Sequence, residues 1–282
     1  MSIRWYPGHM ATARKEAAET MRRIDLVIEV LDARVPDASC NPVFEGLRRQ
    51  GQKPALKLLN KADVADPQQT KRWLDHYNEQ PGVRAIAVSA KSAGDARRIP
   101  KVCRALLPGH GTPAKPLRMM ILGIPNVGKS TLMNALLGRH VAHVGDEPAI
   151  TKKPMFHQLS AGMTLIDTPG MLWPDVPQRV AIKLAATHSI GRSAYEDEDV
   201  ALALGRFLLA DYRGRLVDRF GALPDDCDSA TLLNAVAMRR NLIKAGGLPD
   251  IAKAAEALLN DFRGGVLGRI TLETVESVAR PV

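Results

Sequence analysis

Five short apolar runs along the chain, at residues 24–31, 53–59, 83–88, 117–122 and 163–166, each stop in a polar loop. Their aliphatic and β-branched content and their length predict strands buried on both faces of a sheet. The loops that follow begin Asp32-Ala-Arg34-Val-Pro36, Asn60-Lys61-Ala62-Asp63, Ser89-Ala90-Lys91, Gly123 and Asp167. Ligands of an open α/β sheet bind beyond the carboxyl ends of its strands, so this shared ending predicts one mostly parallel, doubly wound sheet with its polar chemistry at one end. Helical spacing between the strands predicts helices over 12–23, over 67–77 behind an Asp66 cap, and over 129–137. The stretch Gly109-His-Gly-Thr-Pro-Ala-Lys-Pro116 reads as a linker.

After Gly205 the pattern becomes purely helical, with Leu, Ala and Val at helical spacing over 206–220, 229–245 and 249–263. Two domains are therefore expected, an α/β domain over 1–204 and a small all-α domain over 205–282. Glu196-Asp-Glu-Asp199 reads as a solvated loop or a helix start. No internal repeat or low-complexity tract is evident.

The loops carry recognisable chemistry. Gly123-Ile-Pro-Asn126-Val127-Gly128-Lys129-Ser130 is a complete P-loop, whose backbone N–H groups cradle phosphates while Lys129 reaches the β/γ-phosphates and Ser130 ligates Mg²⁺. Asn126, Val127, Gly128, Lys129, Ser130 and Thr131 form the expected phosphate-side set. In Asn60-Lys61-Ala62-Asp63 the Asp63 carboxylate can accept from guanine N1–H and N2–H₂ together, a pair of donors that adenine lacks, so GTP is expected over ATP. Asn60 is expected to brace the loops, Lys61 to cover the base with its stem, and Ser89 and Ala90 to close over guanine O6 through their N–H groups. Asp167-Thr168-Pro169-Gly170 places Asp167 to hold a Mg²⁺-bound water and Gly170 beside the nucleotide. Thr151, between the P-loop and this turn, is the candidate switch threonine that binds Mg²⁺ through its hydroxyl and the γ-phosphate through its N–H. The guanine reader precedes the P-loop here, whereas it usually follows it. The fold expected is thus a circularly permuted P-loop GTPase domain, with the 109–116 linker at the join of the old termini.

One expected part is missing. Many GTPases follow Asp-Thr-x-Gly with a Gln that orients the attacking water, and this chain has Met171 there. Two groups are candidates to compensate. Asn126 could ligate K⁺, whose charge would sit where an arginine finger otherwise goes. His9, in Trp5-Tyr6-Pro7-Gly8-His9-Met10, could orient water or relay a proton.

Bulk properties narrow the class. A chain of 282 residues that is 45% hydrophobic builds a real core, and no apolar run approaches the eighteen or so residues of a membrane helix. The N-terminus lacks the apolar core of a signal peptide, so a cytoplasmic location is expected. Cys40, Cys103 and Cys227 match no metal or redox spacing and read as reduced structural thiols. Net charge +9 favours a polyanionic partner. Lys91, Arg97, Arg98, Lys101, Arg104, Lys115 and Arg118 face one acid, Asp95, in that stretch. A phosphate contact and a solvated helix face both accommodate such a run.

Together, Trp5–Met10, Asp32-Ala-Arg34-x-Pro36, the Asn60 and Ser89 motifs, the Asn-bearing P-loop and Asp167-Thr-Pro-Gly-Met-Leu-Trp-Pro174 resemble the circularly permuted ribosome-assembly GTPases over nearly the whole chain. The resemblance implies GTP/GDP and Mg²⁺ as ligands, with K⁺ a candidate activator. It implies a role in late maturation of the bacterial large ribosomal subunit, with hydrolysis stimulated by that particle and a helical C-terminal domain on rRNA. The large subunit or its precursor is the implied partner; no membrane or DNA partner is expected. By the same resemblance His9 is the catalytic histidine, beside Lys129 and Asn126, and Met171 falls in the class with an apolar residue at the Gln position. Ala149 departs from the family's usual Gly near Thr151, where a requirement for φ > 0 would strain an Ala, and Tyr6 stands where Phe is common. The competing reading is a nucleotide-gated RNA-binding or scaffold protein whose hydrolysis is incidental.

Overall fold

The computed structural model describes residues 10–138 and 155–278. They divide into two units, one comprising 177–272 and the other running to residue 176 and including the described part of the tail from Glu273.

The larger unit is a six-stranded sheet in the order β3-β2-β1-β4-β6-β5. Its strands are β1 (Leu26–Asp32), β2 (Ala55–Asn60), β3 (Val83–Ala87), β4 (Leu117–Leu122), β5 (Met155–Ser160) and β6 (Met163–Asp167). All neighbours run parallel except β5, which pairs antiparallel with β6. Five strands lie where the apolar runs predict them. β5 escapes that reading because it is an edge strand, with Met155 and Phe156 exposed and only His157 buried, and so shows no apolar run.

The chain moves outward from β1 through β2 to β3, then returns across the sheet to lay β4 on the other side of β1. The irregular segment before Leu117 completes that return, as expected of the linker. Gly162, in the β5–β6 turn, gives its carbonyl to Leu117 N at 2.8 Å. A Cβ at Gly162 would overlap the backbone of Gly111 and Thr112, so linker and turn meet at a position only Gly can fill.

Helices α1 (Met10–Arg23), α2 (Pro42–Gln50), α3 (Pro67–Asn78), α4 (Ala93–Leu106) and α5 (Lys129–Leu137) surround the sheet. Asp66 caps α3 through Gln68 N and Gln69 N, as its position predicts. Asn41, followed by Pro42, caps α2, and Ser92 caps α4. One apolar cluster joins Ala17 and Met21 of α1, Phe44 of α2 and Trp73 and Tyr77 of α3 to Val27, Leu31, Ala55 and Leu59 of the sheet. Within β1 and β2, Glu29 and Lys57 stand in register and form a buried ion pair. Burial, the largest influence, would lower the Lys57 pKa, but the surrounding acidic groups, Glu29 foremost and Glu45 with it, together outweigh it and raise it. The three cysteines are free, and burial pushes the Cys103 thiol up to about 12 and raises Cys40 as well. Neither is a thiolate at neutral pH.

The smaller unit is helical: α6 (Gln178–Ala186), α7 (Asp197–Asp211), α8 (Arg213–Phe220), α9 (Ser229–Arg239) and α10 (Ile251–Arg263). The boundary expected between residues 204 and 205 is thereby corrected, because it falls inside α7. Gly205 marks a close crossing rather than a break: a Cβ there would lie 3.2 Å from Leu232 Cδ2 and 3.3 Å from Ser229 Cβ of α9. Glu196–Asp199 resolves as a helix start, with acids in the first turn of α7. The helix expected over 206–220 splits at Tyr212, whose hydroxyl donates to Thr271 O at 3.2 Å. That expected over 229–245 stops at Arg239, just before Asn241 takes φ 54°.

The chain then returns. Glu273 is buried and accepts hydrogen bonds from Asp37 N at 2.8 Å and Ala38 N at 3.2 Å, while its carbonyl accepts from Trp73 Nε1 at 3.1 Å. The following helix α11 (Val275–Val278) packs on α3. The tail is thus part of the larger unit, against the expected assignment of 205–282 to one helical domain. Glu273→Ala removes the carboxylate acceptor of the buried Ala38 N–H and the partly buried Asp37 N–H and should destabilise the larger unit by about 1–3 kcal/mol. Chemical denaturation followed by Trp73 fluorescence measures this; an unchanged midpoint would show that the tail does not hold the unit together.

Candidate functional site

The loops after β1, β2, β3, β4 and β6 converge at the carboxyl end of the parallel strands, at the point where the strand order reverses between β1 and β4. The P-loop leaves β4 at Gly123, where a Cβ would lie 2.7 Å from Val30 O, so only Gly lets the turn pass β1. Asn126 and Gly128 adopt φ 59° and 93°. This places the N-terminus of α5 at the end of the turn, with its unsatisfied N–H groups and positive dipole end. Val127 is fully buried and Ser130 and Thr131 sit in the first turn of α5.

Asn60 ties three loops together. Its Nδ2 donates to Val127 O of the P-loop at 2.7 Å, and its Oδ1 accepts from Ala90 N at 2.9 Å. A Cβ at Gly128 would overlap Asn60 Nδ2, so the glycine and the asparagine require each other. Lys61, at φ 61°, reaches the P-loop too, donating to Asn126 O at 2.7 Å and pairing with Asp32 at 2.9 Å. Asp32 in turn takes a bidentate contact from Arg34, at 2.9 and 2.7 Å, and the Arg34 N–H at 3.0 Å.

Asp32 and Arg34 are buried under the loops. Burial by itself would raise the Asp32 pKa, but the Arg34 and Lys61 charges outweigh it and hold the carboxyl far below the ordinary carboxylate range. For Lys61 burial dominates and lowers the ammonium below its ordinary value, with Asp32 opposing. This Asp32–Arg34–Lys61 network is the part of the site that residue-by-residue reading misses. Its signal is present in Asp32-Ala-Arg34, an acid and a base two residues apart at a buried strand end.

On the phosphate side, Lys129 and Asp167 are both buried and form an ion pair. Thr168 donates to Ile121 O at 2.8 Å, and a Cβ at Gly170 would lie 3.4 Å from Pro125 Cα, which sets the Asp-Thr-Pro-Gly turn against the P-loop. Met171 is buried in the apolar cluster, and its carbonyl accepts from Asn41 Nδ2 at 2.8 Å. The residue at the Gln position therefore serves the core and offers no group to water.

Asp63 is exposed, with Lys91 at 3.7 Å. Ser89 N donates to Asp95 Oδ2 at 3.0 Å and Ala90 N to Asn60 Oδ1, so each already has a partner and would have to exchange it to reach a base. His9, Thr151 and Ala149 lie outside the described residues.

The donor set fits a guanine nucleotide with Mg²⁺. Gly123 and Gly128 leave a cradle that side chains would fill, Lys129 supplies a cation beside it, and the Ser130 hydroxyl and Asp167 carboxylate are the hard oxygen donors Mg²⁺ prefers. Bound Mg²⁺ would neutralise phosphate charge. Phosphates seated in the cradle would draw Lys129 from Asp167 and turn that carboxylate toward the metal.

A mostly parallel sheet with an Asn-Lys-x-Asp loop after β2 and a P-loop after β4, in that chain order, is the architecture of a circularly permuted P-loop GTPase. Residues 118–213 match the family model described as 50S ribosome-binding GTPase. Over 290 residues the chain is 38% identical to "Ribosome biogenesis GTPase A" of Bacillus cereus, covering 100% of this chain and 97% of the relative. Among solved structures it is similar to GDP-bound TM YlqF (TM-score 0.65, 28% identity, 92% of this chain and 98% of that one). It is also similar to GNP-bound YlqF from T. maritima (TM-score 0.64, 26% identity, 93% and 98%). The chain belongs to the ribosome biogenesis GTPase A family, and its enzymatic activity is GTP hydrolysis.

The depressed pKa of Asp32 couples stability to pH. A depressed folded-state pKa contributes stability that is present above the unfolded value of roughly 4 and is lost as pH falls below it. Urea midpoints measured from pH 7 downward should hold to near that value and then fall. Asp32→Asn should be less stable at neutral pH, because it strips Arg34 and Lys61 of their counter-charge, and its acid dependence should be shallower. An equally steep acid loss in Asp32→Asn would remove the network from the account.

Proposed function

We propose that this protein acts in late assembly of the large ribosomal subunit, hydrolysing GTP to GDP and phosphate when the pre-ribosomal particle stimulates it. The observation that carries this reading is the burial of Met171. The site has the parts that bind and polarise a nucleotide, but the position that would orient water is given to the core. Such a site binds GTP and hydrolyses it slowly until another group is brought in. The family description of a 50S ribosome-binding GTPase supports the large subunit as the source of that stimulation. In this reading Asp63 selects guanine, Asn60 and Lys61 hold the reading loop, and Asn126 to Thr131 with Gly170 surround the phosphates. Ser130, Asp167 and Thr151 attend Mg²⁺. His9 supplies the water-directing group, and K⁺ at Asn126 supplies charge beside the phosphates. The protein would work in the cytoplasm, where ribosomes are assembled; no helix among the described residues is long and apolar enough to cross a membrane.

GTP hydrolysis measured in KCl and in NaCl at matched ionic strength, with and without purified large subunits, tests the reading. The particle and K⁺ together should raise the rate by about two orders of magnitude or more, the scale of a supplied catalytic group, and His9→Ala should abolish that gain while leaving GTP affinity intact. A rate indifferent to the particle, with tight GTP binding retained, would favour a nucleotide-gated scaffold instead.

A further inference from the structure

Helix α4 carries a stripe of cations that the nucleotide site does not use. Arg97, Lys101 and Arg104 recur at i, i+4 and i+7 and are exposed, while Ala96, Ile99 and Cys103 face the core. Arg98, off this stripe, pairs with Asp95 at 3.4 Å. The three stripe cations have no carboxylate within ion-pair distance among the described residues. At 1.5 Å rise per residue the stripe is about 10 Å long, more than one small anion can occupy.

Beside it lies a cleft of about 180 Å³ between α4, α5 and the β5–β6 turn, walled by Arg97, Arg104, Leu136, Ser160 and Met163. The Ser160 hydroxyl is buried and has no hydrogen-bond partner among the described residues. Neither α5 nor β5 contains an acid, and none occurs in the 109–116 linker, where Lys115 is exposed as a fourth cation. The linker also shapes the cleft's rim: a Cβ at Gly111 would lie 3.2 Å from Arg104 Cγ and Nε, so this glycine lets the arginine lie along the chain.

We propose that this face of α4 is a docking surface for the phosphate backbone of RNA, with one phosphate seated in the cleft between Arg97, Arg104 and the Ser160 hydroxyl. Lys101 and Lys115 contact flanking phosphates. Arg, Lys and Ser are the side chains that position a protein on a nucleic-acid backbone without reading sequence, and an unpaired stripe gains most from displaced counterions. A lipid surface fits less well, because α4 has no exposed large apolar side chain to insert. The inference rests on the ribosome-assembly reading for its RNA, and it assigns contact to the GTPase unit in addition to the helical one.

The test uses full-length protein with GTP, comparing wild type with Arg97→Gln/Lys101→Gln/Arg104→Gln, and with Lys101→Glu alone as a lighter variant. Binding to large subunits, to a plain RNA duplex and to phosphatidylserine vesicles is titrated from roughly 50 to 200 mM salt. Thermal midpoint and particle-free GTP hydrolysis should match wild type in both variants. The triple variant should lose about tenfold or more in affinity for both targets, with a log-log salt slope shallower by about 2. Wild-type affinity and slope in both variants would overturn the α4 surface while leaving the assembly reading intact. A loss seen only on phosphatidylserine vesicles would also overturn it, in favour of lipid. Wild type that binds neither subunits nor RNA would remove both.

Discussion

The side chain of Asn60 is the contact on which the rest of this site depends. Permutation puts the Asn60 loop ahead of the P-loop in the chain, and Val127, the P-loop acceptor, lies 67 positions after Asn60. Nothing local keeps the two loops in register. One buried amide does, by giving its N–H to Val127 and taking the N–H of Ala90. The bond to Val127 is buried and that to Ala90 partly so, and losing the first leaves a buried backbone carbonyl unpaired, which costs more than the bond itself contributes. The close fit of Asn60 against Gly128 explains why that position admits no side chain.

Beneath Asn60, charge does what covalent continuity does not. Lys61 bonds the P-loop at Asn126 and is neutralised by Asp32, which Arg34 holds from the other side. The network links the ends of β1 and β2 to the loop after β4, and Glu273 extends it by gripping the backbone of Asp37 and Ala38 three residues beyond Arg34. The chain's C-terminal part thereby closes on the loop next to the nucleotide site. A contact that displaced the tail would act on the Arg34 loop first, and through Asp32 on Lys61.

Much of this is legible in the sequence, for a physical reason: parallel strands buried on both faces must be continuous apolar runs, and their carboxyl ends must carry the ligand chemistry. The five parallel strands, the P-loop helix and the permuted order follow from that. What escapes is whatever depends on packing between distant segments. β5 is a half-exposed edge without an apolar run. Gly205 looks like a boundary and is a helix crossing. The tail looks like part of a helical domain and is held by a buried carboxylate. Met171 shows its chemical deficiency in the sequence but not its place in the core.

The claim that one amide holds the permuted site together is tested most directly by the affinity of Asn60→Ala for GDP and GTP. Truncation should weaken both by about 2 kcal/mol, roughly thirtyfold, because the buried Val127 carbonyl and the Ala90 N–H lose their partner and the loop after β2 loses its fixed distance from the P-loop. The variant should remain folded, since the apolar cluster beneath the sheet is untouched. Affinities within about twofold of wild type, well under 1 kcal/mol, would mean that the loops keep their register without Asn60 and that the account is wrong.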